Sequence, residues 1–228
     1  MPSYVTAVVL AAGTGSRVGS DVPKQFLSLG GRPMVAHSLS TFESSERVRA
    51  VVVAFPTSDA HGVDMARFPK VRARVAGGET RQASLGKALA VLPPETDYVL
   101  VHDAARPLLD RPLVEKLLDA LDDGCDGAIP AIPLEDTIKR VSTERVVVEQ
   151  LDRRGVWRVQ TPQFFPRNVL EDSLAKADKS GLESTDCSQM LTAAGYRVKV
   201  VEGDPLNFKV TRAADLWLAE QVLASRPE

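Results

Sequence analysis

The sequence predicts an α/β fold, with a mostly parallel central sheet and helices on both faces. Two observations carry this. Short runs of small and β-branched apolar residues, nearly free of polar interruption, recur along the first 133 residues, as strands buried on both faces require. Between them lie stretches with apolar residues at helical spacing, so strand and helix alternate as in successive βαβ units.

The elements follow in order. TAVVLAAG (6–13) reads as a buried first strand and MVAHSLSTFESS (34–45) as a helix. RAVVVAF (49–55) is a second strand, and KVRARVAG (70–77), which alternates, a third and more exposed one. TRQASLGKALAVL (80–92) is a helix ended by Pro93-Pro94. DYVLVHDAARP (97–107) is a strand that ends in polar residues. RPLVEKLLDALDDG (111–124) is a helix with proline in its first turn and glycine after its last, and DGAIPAIP (126–133) is another strand. The pattern breaks at about residue 134. Residues 134–165 alternate β-branched and charged side chains around a polar turn near Ser142, Thr143 and Glu144, which reads as a two-stranded hairpin. A hairpin alone is marginal in water, so this arm is expected to lean on a second subunit. Helices at 166–179 and 184–194, a strand at 196–203 and a helix at 211–225 close the chain. The expectation is one domain over 1–228 with an arm at about 134–157.

Composition excludes several classes. The 228 residues are 44% hydrophobic and 25% charged, with a formal net charge of -2. This argues against a disordered chain and against nucleic-acid binding by bulk positive charge. The N-terminal apolar run is short and lacks a basic flank, so it reads as a strand and not a signal peptide, and no stretch reaches membrane-span length. Cys125 and Cys187 lack metal spacing and, with His37, His61 and His102, form no zinc pattern, which suits free thiols in the cytoplasm. No G-x-S-x-G elbow, Cys–His pair or H-E-x-x-H motif supports nucleophilic hydrolysis.

In parallel sheets of this kind, ligands bind beyond the carboxyl ends of the strands. Two polar segments stand there. In VVLAAGTGSRVGSDVPKQF (8–26), Gly13, Gly15 and Gly19 are spaced G-x-G-x-x-x-G, one residue too long for the dinucleotide fingerprint, and no P-loop lysine follows. Backbone N–H groups in such a turn form an anion-binding concavity, with Gly13 and Gly15 supplying positive φ or close approach. Arg17 and Lys24 add two charges, and Pro23 stiffens the approach to the lysine. In HDAARP (102–107), Asp103 suits a metal–phosphate ligand or a turn cap, and the planar fork of Arg106 suits a phosphate. His102 reads as a packed strand-end residue. In AGGETRQASL (76–85), Gly77-Gly78 bends the chain, and Arg81 and Ser84 share one helical face. Either a base-reading backbone or a plain capped turn fits that segment. In NFKVTRAADL (207–216), Lys209 stands before the last helix.

Together these motifs resemble the 2-C-methyl-D-erythritol 4-phosphate cytidylyltransferases. LAAGTGSRVGSDVPKQF, GGETRQAS, HDAARP, DTIKR, DRRGVWRVQTPQFF and NFKVTRAADL occur in the family's order and span nearly the whole chain. The resemblance implies a Rossmann-like nucleotidyltransferase fold, a homodimer joined through the hairpin arm, and Mg²⁺-dependent transfer of CMP from CTP to methylerythritol phosphate. It implies that Ala11, Ala12, Gly13 and Gly15 contact CTP, and that Arg17 and Lys24 stabilise the transition state. Gly78, Glu79 and Ser84 would hold the cytidine; Asp103 would bind Mg²⁺, with Ala104 nearby. Arg106, Thr137, Arg153, Thr161 and Lys209 would hold the acceptor phosphate, Thr137 and Arg153 acting from the arm on the partner's site. Two positions depart from the family pattern. Glu79 stands where Asp is frequent, and TDCSQML (185–191) replaces the usual acidic-then-small run. A ribitol 5-phosphate cytidylyltransferase, a sugar-1-phosphate nucleotidyltransferase using another base and a catalytically silent nucleotide-binding module remain as alternatives. No nucleic acid, membrane or fused second enzyme domain is expected.

Overall fold

The computed structural model describes residues 3–13, 22–56, 62–121 and 124–226. Its main sheet has eight strands: β1 (Val5–Leu10), β4 (Val48–Phe55), β5 (Val71–Ala76), β6 (Tyr98–Asp103), β7 (Gly127–Pro133), β10 (Trp157–Val159), β11 (Gln163–Pro166) and β12 (Val198–Glu202). β1 pairs in parallel with β4 and β6, β4 with β5, and β7 with β12. β11 runs antiparallel between β6 and β7, and β10 pairs antiparallel with the end of β7. A small ribbon of β2 (Ser28–Leu29) and β3 (Arg32–Pro33) precedes the first helix.

Both sheet faces are buried, because the central strands are apolar at almost every position. In β1, Ala7 and Val9 face one core cluster and Val8 faces the other. The first cluster packs α1 (Met34–Ser44) through Leu39 and Phe42, and α3 (Arg111–Leu118) through Leu113 and Leu117. The second packs α2 (Arg81–Leu89) through Leu85 and Leu89, α4 (Arg167–Ser180) through Leu170, and α5 (Cys187–Ala193) through Met190 and Leu191. The ends obey local chemistry. Asp110 caps α3 by accepting from Leu113 N at 3.0 Å, with Pro112 in the first turn, and α4 stops at Gly181 with φ 69°. α6 (Ala213–Ser225) is held at its start by Asp215, which accepts from the amides of Thr211 and Arg212. Among the described residues, no helix is long and apolar enough to cross a membrane.

The expected hairpin is shorter than 134–165. Only β8 (Ile138–Val141) and β9 (Val147–Leu151) form it, outside the main sheet, turning at Ser142–Arg145. Residues 157–166 turn back into the main sheet because Gln163, Phe164 and Phe165 are apolar or pairable enough to be buried there. That is also why the sheet carries two antiparallel strands. The hairpin exposes its valines: Val146 is 62% exposed, Val147 58% and Val148 64%.

Candidate active site

Several chain segments, Pro56 after β4 among them, meet at the carboxyl ends of β1 and β6. They line a cleft of about 550 Å³ with Leu10 to Gly13, Lys24 and Gln25, Gly78 to Arg81 with Ser84, Asp103 to Ala105, and Lys209 with Thr211. A second cleft, lined by Tyr4, Arg47, Arg49, Tyr98 and Phe164, lies at the amino ends of the same strands, the wrong end of a parallel sheet for a ligand.

The first wall is the end of β1. The amide of Ala11 donates to Ala54 O at 2.8 Å, which extends the ladder into the cleft. Gly13 has neither positive φ nor, among the described residues, a neighbour its missing Cβ would strike. Positive φ is therefore not what makes residue 13 a glycine. Gly15, Arg17 and Gly19 lie outside the described residues. Lys24 sits in a single 3₁₀ turn, Lys24–Phe26, after Pro23, and its Nζ donates to Val210 O at 3.2 Å.

The second wall is the turn into α2. Gly77 and Gly78 have no positive φ; they are glycines because of crowding. A Cβ on Gly77 would lie 2.1 Å from Ala12 Cβ, so this glycine lets the two walls touch. A Cβ on Gly78 would lie 2.5 Å from Ala83 Cβ. The Ser84 hydroxyl accepts from Gly78 N at 3.0 Å and donates to Thr80 O at 2.9 Å, so it braces the turn. Thr80 caps α2 by accepting from Ala83 N, and Glu79 is exposed on the cleft rim.

The floor is Asp103, at the end of β6. Its Oδ1 accepts from Arg81 Nε at 3.1 Å and its Oδ2 from Lys209 Nζ at 2.7 Å, with its side chain only 13% exposed. Burial alone would push this carboxyl up, but the Arg81 guanidinium and the Lys209 ammonium outweigh it and hold the group well below the usual carboxylate range. Arg81 also donates from Nη1 to Cys187 Sγ at 3.4 Å, and its Nη2 is buried without a partner among the described residues. Burial pushes the Cys187 thiol up, so it stays protonated. Segment 185–191 is therefore the support behind Arg81. Asp186 caps α5, and Gln163 ties β11 to it through Asp186 Oδ2 and Cys187 N.

Arg106 is placed beside the cleft with its fork already spent. Nη1 donates to Asn207 O at 2.8 Å and Nη2 to Val159 O at 3.0 Å, while Nε is buried without a partner among the described residues. Thr161 is buried, with its hydroxyl against the amide of Asp103 and the ring of His102. Thr137 and Arg153 are exposed at the base of the hairpin, outside the cleft lining; Arg153 bonds the carbonyl of Glu135. Arg81 and Gln25 are among the cleft residues to which the sequence alone assigns no role. The signal for Arg81 was present within GGETRQAS, but its partners Asp103 and Cys187 come from distant segments.

The donor set bears on a metal. Among the described residues, no group of three or more His, Cys, Asp or Glu could cage an ion. One buried carboxylate, Asp103, and the exposed Glu79 line the cleft. Each Asp103 oxygen accepts one N–H and keeps a lone pair. This fits Mg²⁺ carried largely by phosphate oxygens, which needs only one or two carboxylates.

The comparisons agree with this geometry. Residues 5–225 match the family model of 2-C-methyl-D-erythritol 4-phosphate cytidylyltransferase. The chain is 40% identical over 220 residues to the Haemophilus influenzae protein of that name, covering 96% of each. Among solved structures, it resembles 4-diphosphocytidyl-2C-methyl-D-erythritol synthase from Anaerococcus prevotii, with TM-score 0.83 and 27% identity over 98% of this chain and 100% of that one. It also resembles the Thermus thermophilus 2-C-methyl-D-erythritol 4-phosphate cytidylyltransferase, with TM-score 0.80 and 33% identity over 95% of this chain and 98% of that one. A floor carboxylate strapped between two cations, beneath a glycine-bent turn and a lysine, thus sits in a chain that matches these proteins almost end to end, and the chain belongs to the 2-C-methyl-D-erythritol 4-phosphate cytidylyltransferase family.

Proposed function

We propose that this protein transfers CMP from CTP to 2-C-methyl-D-erythritol 4-phosphate, releasing pyrophosphate and forming 4-CDP-2-C-methyl-D-erythritol. The observation that carries the reading is the gathering of Lys24, Arg81 and Lys209 about Asp103 in one cleft of a chain of this family. An oxygen of the acceptor phosphate bonds to the α-phosphorus, the bond to the bridging oxygen breaks, and its electron pair leaves with pyrophosphate. The nucleophile is already an anion, so no general base is needed. His102, the histidine nearest the cleft floor, is buried and held neutral, its pKa lowered to about 4 by burial. The barrier is the approach of two polyanions, and the chain's cations lower it.

Lys24, with Arg17 as the resemblance implies, neutralises charge on the α-phosphate and the leaving group. Ala11, Ala12 and Gly13, with Gly15 as the resemblance implies, offer backbone to the triphosphate, and Gly78, Glu79 and Ser84 border the cytidine. Lys209 is 39% exposed in its pair with Asp103, so an incoming phosphate displaces it at small cost and is then aligned by it. Asp103 would hold Mg²⁺, which when bound supplies charge neutralisation at the phosphates. Arg106 joins the acceptor site only if its fork leaves the two carbonyls.

We place the acceptor grip of Thr137 and Arg153 across a homodimer formed by the hairpin, whose exposed valines call for cover. Mixing Arg153→Ala with Lys24→Ala subunits, each inactive alone, is expected to restore up to about a quarter of wild-type activity per dimer, since random pairing makes half the dimers mixed, each with one intact site. Mixed dimers that stay inactive refute a shared site. Reduced thiols and the pathway suit the cytoplasm.

Pyrophosphate release tests the function. It is expected with CTP and methylerythritol phosphate, and not with UTP, GTP or ATP in place of CTP. Release with ribitol 5-phosphate but not methylerythritol phosphate, or with no acceptor at all, overturns the reading.

A further inference from the structure

His102 is fully buried yet makes three polar contacts. Its Nε2 lies 3.2 Å from the carbonyl of Arg106 and 3.1 Å from Ser38 Oγ, and its Nδ1 lies 3.0 Å from Thr161 Oγ1. A carbonyl can only accept, so Nε2 carries the proton. The ring is fully buried and its hydrogen-bond partners among the described residues include no carboxylate, so it is neutral, and Nδ1 is bare and must accept. The Thr161 hydroxyl then donates its only proton to Nδ1, and its oxygen accepts from the amide of Asp103 at 3.1 Å. The bond has a topological role. β11 pairs Gln163 with Val101, and Thr161 lies two residues beyond, opposite Asp103. The carbonyl of Thr161 is taken by Asn207 Nδ2 at 2.8 Å. The hydroxyl therefore supplies the bond that holds Asp103 where the strand pairing stops.

We infer that His102 is a positioning residue: by taking the hydroxyl proton of Thr161, it turns the Thr161 oxygen onto the amide of Asp103 and so fixes where the cleft carboxylate stands. Thr161 has no proton left for a phosphate, and its part in acceptor binding is indirect. The catalytic consequence rests on the role proposed above for Asp103; the hydrogen-bond assignment does not.

Two measurements separate these. In full-length protein labelled with ¹⁵N at histidine, the His102 ring is expected as the neutral Nε2–H tautomer, identified as the signal missing from His102→Gln. Its Nδ1 resonance should move in Thr161→Val and return towards its place in Thr161→Ser. An Nδ1–H tautomer, or no response to Thr161→Val, overturns the proposal even in a protein with a different activity. In kinetics, Thr161→Val and His102→Gln should each lower kcat up to about tenfold, the worth of one buried hydrogen bond. KM for methylerythritol phosphate should stay within about twofold in both. The double variant should be no slower than the slower single one, because both break the same relay. A KM rise of about tenfold in Thr161→Val with kcat unchanged overturns it in favour of direct phosphate binding. Should His102→Gln fail to fold, Thr161→Val and its rescue by Thr161→Ser still decide.

Discussion

Replacing Lys24 by alanine is expected to lower kcat by about two to three orders of magnitude, while KM for CTP changes by only a few fold. The lysine is not a loose surface cation. Pro23 and a single 3₁₀ turn set its direction, and its Nζ is drawn onto the carbonyl of Val210, next to the segment that carries Lys209. A charge held in this way gains most when negative charge grows on the α-phosphate and the departing pyrophosphate, and less when CTP merely binds. Ground-state affinity is shared with the backbone of Ala11 to Gly13 and the turn at Gly78. Steady-state kinetics with CTP varied at saturating methylerythritol phosphate gives the split directly. An unchanged kcat with a large rise in KM removes Lys24 from the transition state and makes it a binding residue.

Asp103→Asn is expected to cost both rate and stability. The carboxylate is the counter-ion of Arg81, whose side chain is only 19% exposed, and loss of one partner from a buried pair costs about 3 kcal/mol or more. In a chain of this size that corresponds to a fall in Tm of about 6–12 °C. Lys209, the more exposed partner, adds little to this figure. The pH dependence has a definite sign. The folded carboxyl lies well below its unfolded value of about 3.9, so its stabilisation is fully present above that value. It is lost as pH falls through the folded value. Thermal melts of wild type and variant should therefore differ by the full amount near pH 7 and converge as the pH drops below about 4. A difference that persists unchanged into strong acid means that the charge of Asp103 is not what stabilises the fold.

The sheet was legible because β1, β4, β6 and β7 are apolar at almost every position, and a strand of that kind has nowhere to go but between two helical layers. β11 was not. Its QFF sits just after a run of exposed charged and β-branched residues, and nothing local tells burial at Phe164 from continuation of the hairpin; only the open edges of β6 and β7 decide it. The ribbon of β2 and β3 is two residues a side and leaves no periodicity to read. The same divide holds in the cleft. Gly78, Ser84, Asp103 and Lys209 could be picked out from motifs, each a short local pattern. The links among them could not, since Arg81 reaches Asp103 and Cys187 through space. Cys187 is a case in point: in the chain it is one departure within TDCSQML, and in the fold its sulfur accepts from the arginine that holds the floor of the cleft. Arg106 shows the same divide, as its fork suggested a phosphate from the sequence and in the fold it also holds the carbonyls of Val159 and Asn207.

The strap across Asp103 also bears on the order in which the molecule is made. Lys209 closes onto a carboxylate 106 positions earlier, and Lys24 onto a carbonyl 186 positions later. Contacts of such sequence separation form late, because the chain between them must be ordered first. While the chain emerges from the ribosome, β1, β4 and β6 can pair long before residues 207–211 exist. The nascent protein therefore passes through a stage with a built sheet and an open, unstrapped floor, and the cleft closes only once residues 207–211 have emerged.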